Sequence, residues 1–238
     1  MALLEIRHVS KFFGGLAANA DVSFEVTAGM IMGLIGPNGA GKTTLFNCMT
    51  GYYPPSKGEV IFAGRDMKGL RPHQVCKLGM VRTWQKVRPL ANLSVLDNVI
   101  VGALCRTNSV KIARDLAMEQ LRLVRLDHNA ALAAGALPIG ERKRLEVARV
   151  LATRPTLLLL DEVMGGLNPA ESEGIIRLIL DIRQTGVTQM IIEHDMKAIM
   201  RLSDRIVVLS SGEKLAEGTP QEIARDSRVI EAYLGPDE

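Results

Sequence analysis

The stretch from Gly36 to Thr44 reads GPNGAGKTT and matches the phosphate-loop pattern GxxxxGK(S/T) at every fixed position. An apolar run at residues 31–35 precedes it and helix-compatible residues follow it, which is the order that a phosphate loop requires. In such a loop, backbone N–H groups and the positive end of the following helix point at an anionic phosphate. The pattern predicts binding of a nucleoside triphosphate by Gly36, Pro37, Asn38, Gly39, Ala40, Gly41, Lys42, Thr43 and Thr44.

Two side chains of this loop have predicted chemical roles. We expect Lys42 to reach the β- and γ-phosphates, and we expect the hydroxyl of Thr43 to ligate Mg²⁺. At average glycine usage, the bare pattern arises by chance in roughly one chain in a hundred of this length. The strand and helix signals that flank the loop argue against a chance match.

A pair of acids follows the most apolar run of the chain. Residues 156–160 read TLLLL, as in a central strand that is covered on both faces, and Asp161 and Glu162 come directly after it. An ordinary solvated strand end is one interpretation. In a chain with a phosphate loop, the favoured interpretation is that Asp161 holds the Mg²⁺ shell and Glu162 polarises the attacking water.

His194 and Phe13 each have a structural and a functional interpretation. His194 follows an apolar run and Glu193, so it is either a structural histidine or a contact to the γ-phosphate from a neighbouring strand. Phe13 precedes Gly14 in a chain with only 4% aromatic residues, and its ring either stacks on adenine or packs in the core or a turn. The usual burial of phenylalanine favours the core when Phe13 is considered alone.

Composition limits the class of protein. The 238 residues are 47% hydrophobic, which suits one large or two small domains, and a net charge of +3 is too small to indicate nucleic acid. The three cysteines form no CxxC or Cys/His pattern, so neither a disulfide framework nor a zinc site is indicated and a reducing cytoplasm fits best. No run approaches ~18 uncharged apolar residues and no secretory signal is recognisable, so we expect any membrane contact to run through a partner.

Hydrophobic periodicity predicts an α/β fold with a helical insertion. Strands are expected at 3–9, 22–26, 31–35, 58–62, 80–83, 156–160 and 189–192. Helices are expected after the phosphate loop and at 95–101, 111–123, 141–152 and 169–185. We expect one domain over residues 1–238, with an α/β core and a β subdomain at 1–89 and 137–238 and a helical subdomain at 90–136.

Taken in order, the motifs of the chain resemble those of the ATP-binding subunits of ABC transporters. The matching positions are Phe13, Gly36 to Thr44, Gln85, Leu137 to Glu141 at the signature position, Leu157 to Glu162, Gly166 to Asn168 and His194. Nearly end to end, the chain resembles the branched-chain amino acid uptake subgroup, notably in GLNP at 166–169 and in the C-terminal EGTPQEIARDSRVIEAYLG. The resemblance implies the P-loop NTPase ABC ATPase fold, with an antiparallel β subdomain and an inserted helical subdomain.

The resemblance also implies how the site is assembled and who the partners are. Two ATPase subunits pair head to tail, and each ATP lies between the phosphate loop of one and the signature of the other, here Leu137, Pro138, Ile139, Gly140 and Glu141. Gln85 contacts Mg²⁺ and senses the membrane subunit, while His194 contacts the γ-phosphate. The implied partners are a second ATPase subunit, membrane permease subunits and a periplasmic or extracellular solute-binding protein, with no nucleic acid. The implied location is the cytoplasmic face of the inner membrane.

Three positions depart from the family pattern. Trp84 stands where the subgroup usually has phenylalanine, Val163 stands where proline is usual, and Pro138 replaces the serine of the signature. Proline has neither a hydroxyl nor a backbone N–H, so the ATP site that this signature completes is expected to be poor. We therefore expect a heterodimer. Alternatives are a regulatory subunit that binds ATP without hydrolysing it, a lipopolysaccharide-export ATPase, and a DNA-repair or translation factor, whose usual insertions do not fit in 238 residues.

Overall fold

The computed structural model describes residues 2–85 and 89–234. The chain divides into two compact units, one formed by residues 1–75 and 188–238 and the other by residues 76–187. The division into an α/β core and a helical subdomain at 90–136 stays a prediction. Among the described residues, no helix combines the length and the apolar character that crossing a membrane requires.

The secondary structure elements follow one another in this order. The chain begins with β1 (Ala2–Phe13), β2 (Leu16–Thr27), β3 (Ile31–Ile35), α1 (Lys42–Met49), β4 (Lys57–Phe62), β5 (Arg65–Asp66) and α2 (Pro72–Leu78). It continues with β6 (Met80–Arg82), α3 (Val95–Ala103), α4 (Val110–Leu123), α5 (Ile139–Leu151), β7 (Leu157–Asp161) and α6 (Pro169–Gln184). The last elements are β8 (Thr188–Ile192), α7 (Met196–Leu202), β9 (Arg205–Ser210), β10 (Glu213–Gly218), α8 (Pro220–Ile223) and α9 (Ser227–Leu234).

The first unit contains the expected antiparallel sheet, with strand order β2-β1-β4-β5. Strands β1 and β2 are longer than the alternating runs at 3–9 and 22–26, since they pair from Ala2 opposite Thr27 to Phe13 opposite Leu16. The extra length comes from backbone pairing around the turn at Gly14, which alternation of side chains does not report.

The first unit also holds the strand that leads into the phosphate loop. Strand β3 lies between β8 and β9 and is parallel to both, and β10 pairs antiparallel with β9. All five residues of β3 are buried, as a strand in the middle of a parallel sheet must be. The phosphate loop therefore starts at the carboxyl end of a rigid central strand, where ligands of α/β sheets commonly bind.

In the second unit, β6 and β7 run parallel, with Met80 opposite Leu157 and Arg82 opposite Leu159. Helices α3 and α4 fall where the sequence predicted them, and two short 3₁₀ turns at 127–129 and 134–136 complete the segment. Helix α5 begins at Ile139, two residues before the predicted start, because Pro138 occupies its N-cap position. The start of a helix tolerates proline, since a backbone N–H is not needed there.

Candidate functional site

The phosphate loop has the backbone that its glycines make possible. Gly36 has a φ of +150°, and a Cβ on it would lie 2.1 Å from the carbonyl oxygen of Leu209. Gly41 has a φ of +94°, and a Cβ there would lie 2.2 Å from the carbonyl oxygen of Ala18. Only glycine fits at these two positions. The loop ends at Lys42, where α1 begins and presents the N–H groups of its first turn.

Lys42 is buried, and its side chain folds back onto the phosphate loop. Its Nζ donates to the carbonyl oxygens of Gly36 at 2.6 Å and Pro37 at 2.9 Å. An anion placed in the loop would add a charge-assisted contact to this ammonium. Asn38, Gly39 and Thr43 are exposed, so the tip of the loop and the threonine predicted to ligate Mg²⁺ are open to solvent.

Phe13 ends β1 and is 42% exposed, so it is not a core residue. The ring of Tyr53 meets it edge to face at 5.3 Å between centroids, and the Lys11 Nζ lies 5.1 Å from the Phe13 centroid. Aromatic pairs of this geometry hold each other's orientation. Phe13 is thus an exposed ring kept in place by its neighbours, and stacking on adenine stays a prediction.

Asp161, the last residue of β7, is 1% exposed and forms an ion pair with Arg82. The Arg82 Nη2 lies 2.5 Å from Asp161 Oδ2, and the backbone N–H of Asp161 donates to the hydroxyl of Thr83. Burial lowers the pKa of the Arg82 guanidinium, while the Asp161 carboxylate opposes that change. A buried carboxylate needs a cation, and in this structure Arg82 supplies it.

Glu162 and Gln85 are brought together at the end of β7. The Gln85 Nε2 donates to Glu162 Oε2 at 2.6 Å, and Lys143 Nζ donates to the backbone carbonyl of Glu162 at 2.8 Å. Glu162 has a φ of +51°, an unusual value for a residue other than glycine, and such strain concentrates at functional sites. A proline at position 163 would restrict Glu162 to extended backbone. Valine stands at that position and permits the positive φ.

The five residues at the signature position lead into α5 and include the beginning of its first turn. Leu137 is buried, whereas Pro138 and Ile139 are exposed at the N-terminal end of the helix. A Cβ on Gly140 would lie 2.8 Å from Glu171 Oε1, so only glycine fits there without displacing that side chain. Pro138 is the N-cap and provides no side-chain hydrogen bond, while Glu141 accepts a hydrogen bond from Asn129 at 2.9 Å.

His194 lies in the first unit, between the end of β8 and the start of α7. It is exposed, and the preceding Glu193 is 4% exposed. The next residue, Asp195, caps α7 by accepting from the backbone N–H groups of Lys197 and Ala198. His194 is therefore a surface residue held between two ordered elements, which leaves it accessible to a ligand.

Sequence reasoning missed two cations that contact the predicted site residues. Arg82 ends the apolar strand β6 and pairs with Asp161, and Lys143 is 5% exposed on α5 and binds the backbone of Glu162. A signal for Arg82 was present, since the buried carboxylate predicted after TLLLL requires a positive neighbour. Lys143 gave no comparable signal, because it stands in a run of charged residues at 141–144.

Comparison with known proteins agrees with this geometry. A family model described as "ABC transporter" matches residues 20–165, and one described as "Branched-chain amino acid ATP-binding cassette transporter" matches residues 213–235. The high-affinity branched-chain amino acid transport ATP-binding protein BraF of Pseudomonas aeruginosa is 40% identical to this chain, with 98% of each chain covered. The chain belongs to the ABC transporter ATP-binding family. LivG of Escherichia coli, with the same description, is 39% identical and equally well covered.

Solved structures of ABC ATPase cassettes have the same fold. A nucleotide-free ATP-binding cassette from an ABC transporter superposes with a TM-score of 0.90 at 30% identity, covering 99% of this chain and 100% of the other. An ADP-bound cassette gives the same TM-score and identity. This ABC subunit is accordingly an ATP-hydrolysing α/β protein of the P-loop NTPase class, as its motifs predicted, and nucleotide is its ligand.

Proposed function

We propose that this ABC ATPase subunit powers the import of branched-chain amino acids or a related small organic solute. The similarity to BraF and LivG carries the proposal, since it extends over 98% of the chain. The match of residues 213–235 to the branched-chain family model supports it independently. Because the relatives named here are described as amino acid transport proteins, export of lipopolysaccharide is not favoured.

Within this proposal the phosphate loop binds ATP. The backbone N–H groups of residues 36–44 hold the phosphates, and Lys42 leaves the carbonyls of Gly36 and Pro37 to contact the β- and γ-phosphates. The oxygens of Thr43, Gln85 and Asp161 suit Mg²⁺, which prefers hard oxygen ligands and is held largely by substrate phosphates and water. Asp161, whose carboxylate contacts Arg82 in this structure, would help to hold the Mg²⁺ shell when the metal is bound.

Glu162 acts as the base that orients and polarises the attacking water. Its carboxylate already accepts a hydrogen bond from Gln85, and its backbone is fixed by Lys143. We infer that Gln85 couples contact with a membrane permease subunit to the position of Glu162. His194 completes the contacts to the γ-phosphate. The subunit then works at the cytoplasmic face of the membrane, attached through the permease.

We further infer that the working ATPase pair is a heterodimer. The supporting observation is Pro138 at the N-cap of α5, where it offers no side-chain hydrogen bond and no backbone N–H. Ile139 and Gly140 still present N–H groups at the positive end of the helix, so some attraction for phosphate survives. A partner with an intact signature would close over Lys42 and Glu162, while Pro138 would face the partner's ATP.

Pro138→Ser is expected to increase both ATP-dependent dimerisation and ATP turnover of the isolated chain. A serine N-cap adds a hydroxyl that can bind phosphate, and one such charge-assisted hydrogen bond contributes about 1.5–3 kcal/mol, or roughly a ten- to hundredfold change in affinity. Light scattering with ATP, together with phosphate release, measures the two effects.

Serine also caps helices better than proline, so Pro138→Gly is the control, because glycine caps a helix and restores the N–H but has no hydroxyl. If the hydroxyl binds phosphate, glycine should give a smaller gain than serine. A wild-type chain that is already fully active alone and does not respond to Pro138→Ser would rule out the heterodimer argument.

Phe13→Ala is expected to weaken ATP binding, and Phe13→Trp is expected to preserve it. Loss of one aromatic stacking contact corresponds to about 0.5–1.5 kcal/mol beyond the buried area. Equilibrium titration with a fluorescent ATP analogue measures the change, and Phe12→Ala is the matched control, since Phe12 is a neighbouring ring that is 38% exposed. Equal effects of Phe12→Ala and Phe13→Ala would contradict the assignment of Phe13.

Purification of the chain from its own cells tests the importer proposal directly. We expect permease subunits and a second ATPase subunit to co-purify after mild detergent extraction. The solute-binding protein that stimulates the ATPase of this complex should bind leucine, isoleucine or valine in calorimetric titrations. Stimulation by a solute-binding protein for a solute of another class would overturn the solute assignment. It would not affect the conclusion that the chain is an ATPase.

A further inference from the structure

Two of the three cysteines of this chain lie side by side in the second unit. Cys76 is in the last turns of α2, and Cys105 follows the end of α3. Their Sγ atoms are 3.9 Å apart, which is van der Waals contact, whereas a disulfide bond is about 2.05 Å long. The cysteines are 29 positions apart in the sequence, so the fold and not chain proximity places them together.

The backbones on both sides of this contact are tied together by Arg106, the neighbour of Cys105. Its Nη1 donates to the carbonyl of Lys77 at 2.8 Å, and its Nη2 donates to the carbonyl of Cys76 at 3.2 Å. Its Nε also donates to the carbonyl of Thr153. Two of these hydrogen bonds hold the segment that carries Cys105 against the end of α2, and the third ties the same segment to Thr153.

The surroundings favour a thiol pair that is reduced at rest and still accessible. Both cysteines are half-buried, so a small oxidant can reach them, whereas Cys48 is 2% exposed. Burial, and then the neighbouring Cys105 thiol, raise the pKa of Cys76 to about 11. Cys76 is consequently protonated at neutral pH and attacks slowly, and its advantage as a reactant comes from the proximity of the second sulfur.

We propose that Cys76 and Cys105 are a modification site that a disulfide oxidant converts into an intramolecular disulfide. One thiolate attacks glutathione disulfide, forming a mixed disulfide and releasing one glutathione thiolate. The second cysteine thiolate then attacks the protein sulfur of that mixed disulfide and releases the second glutathione. The two cysteines lose two protons and two electrons, and glutathione disulfide is reduced to two molecules of glutathione.

The new bond would close a ring that contains Gln85. Residues 77–104 lie inside this ring in the sequence, and Gln85 is the residue whose amide contacts Glu162. Tying both ends of the segment reduces its conformational freedom. We expect oxidation to slow ATP turnover, a consequence that rests on the proposed role of Gln85, whereas formation of the disulfide does not.

The test uses the purified full chain with glutathione disulfide, followed by thiol counting after denaturation. Wild type should fall from three free thiols to one, with a monomeric product that lacks two hydrogen atoms and carries no glutathione. Cys48→Ala should fall from two to none. Cys76→Ser and Cys105→Ser are the matched controls and should form a stable glutathione adduct. The oxidised wild type should melt roughly 5 °C higher.

A wild type that keeps three thiols, or that holds glutathione on Cys76 or Cys105 as stably as the serine variants do, overturns the proposal. Turnover is measured before oxidation, after oxidation and after dithiothreitol, and we expect a reversible decrease of roughly two- to tenfold. A confirmed disulfide with unchanged turnover would overturn the coupling to Gln85 alone. An inactive reduced chain would instead count against the proposed function.

Discussion

Glu162→Gln is expected to lower ATP turnover by about a hundredfold or more while ATP binding persists. Glutamine keeps the size of the side chain and a hydrogen bond to Gln85, but it cannot polarise water as a carboxylate does. Since the phosphate loop is untouched, binding energy should be retained and ATP should accumulate on the protein. Phosphate release and equilibrium ATP binding measure the two halves of this prediction.

Glu119→Gln is the matched control, because it makes the same chemical change at an exposed position of α4. It should change neither rate nor affinity. Normal phosphate release by Glu162→Gln would remove Glu162 from catalysis. A combined loss of binding, turnover and thermal stability would point to a structural role of the Glu162 carboxylate in place of a chemical one.

Lys42→Ala is expected to weaken ATP binding by roughly ten- to a hundredfold, since a charge-assisted contact to phosphate of about 1.5–3 kcal/mol is lost. The variant also loses two hydrogen bonds to the carbonyls of Gly36 and Pro37. The Gly36 carbonyl is buried and the Pro37 carbonyl is partly buried, but the next residues, Asn38 and Gly39, are exposed, so water can enter the space that the lysine leaves. We therefore expect binding to fall much more than stability, and calorimetric titration with a thermal melt separates the two.

Lys111→Ala removes an exposed lysine from α4 and serves as the control for charge alone. It should leave ATP affinity unchanged. Retained ATP affinity in Lys42→Ala would contradict the role of the lysine in phosphate binding. A large drop in melting temperature with unchanged affinity would mean that Lys42 mainly holds the loop together.

The features of this molecule that depend on local sequence patterns were predictable from the sequence. The phosphate loop follows β3 and precedes α1, as GPNGAGKTT requires, because glycine positions and flanking periodicity are local features. The strand before Asp161 was predicted one residue early, at 156–160 in place of 157–161. Its burial on both faces follows directly from an uninterrupted run of leucine.

Contacts between residues distant in the sequence were not predictable in this way. Arg82 and Asp161 are 79 positions apart, and Gln85 and Glu162 are 77 positions apart. Their meeting depends on the parallel pairing of β6 with β7, which a single sequence does not encode as a local signal. The family resemblance supplied the importance of Gln85 but not its contact with Glu162.

Two further differences, at Phe13 and at the start of α5, have local causes. For Phe13, the usual burial of phenylalanine favoured a core position, yet the ring ends β1 at 42% exposure because a strand end at a turn offers no core to fill. For α5, the predicted start at 141 left out Ile139 and Gly140, which can already be helical because the residue at the N-cap needs no backbone N–H for the helix. The helix therefore begins directly after Pro138.

Uptake of radiolabelled leucine, isoleucine and valine shows whether this ABC ATPase powers the import of branched-chain amino acids. The measurement uses cells in which Glu162→Gln replaces the wild-type chain and cells in which Glu119→Gln does so. We expect the Glu162→Gln cells to lose high-affinity uptake of at least one of these amino acids, while the Glu119→Gln cells keep it and both take up glucose normally. Unchanged uptake of all three amino acids in the Glu162→Gln cells would contradict the importer function proposed for this subunit.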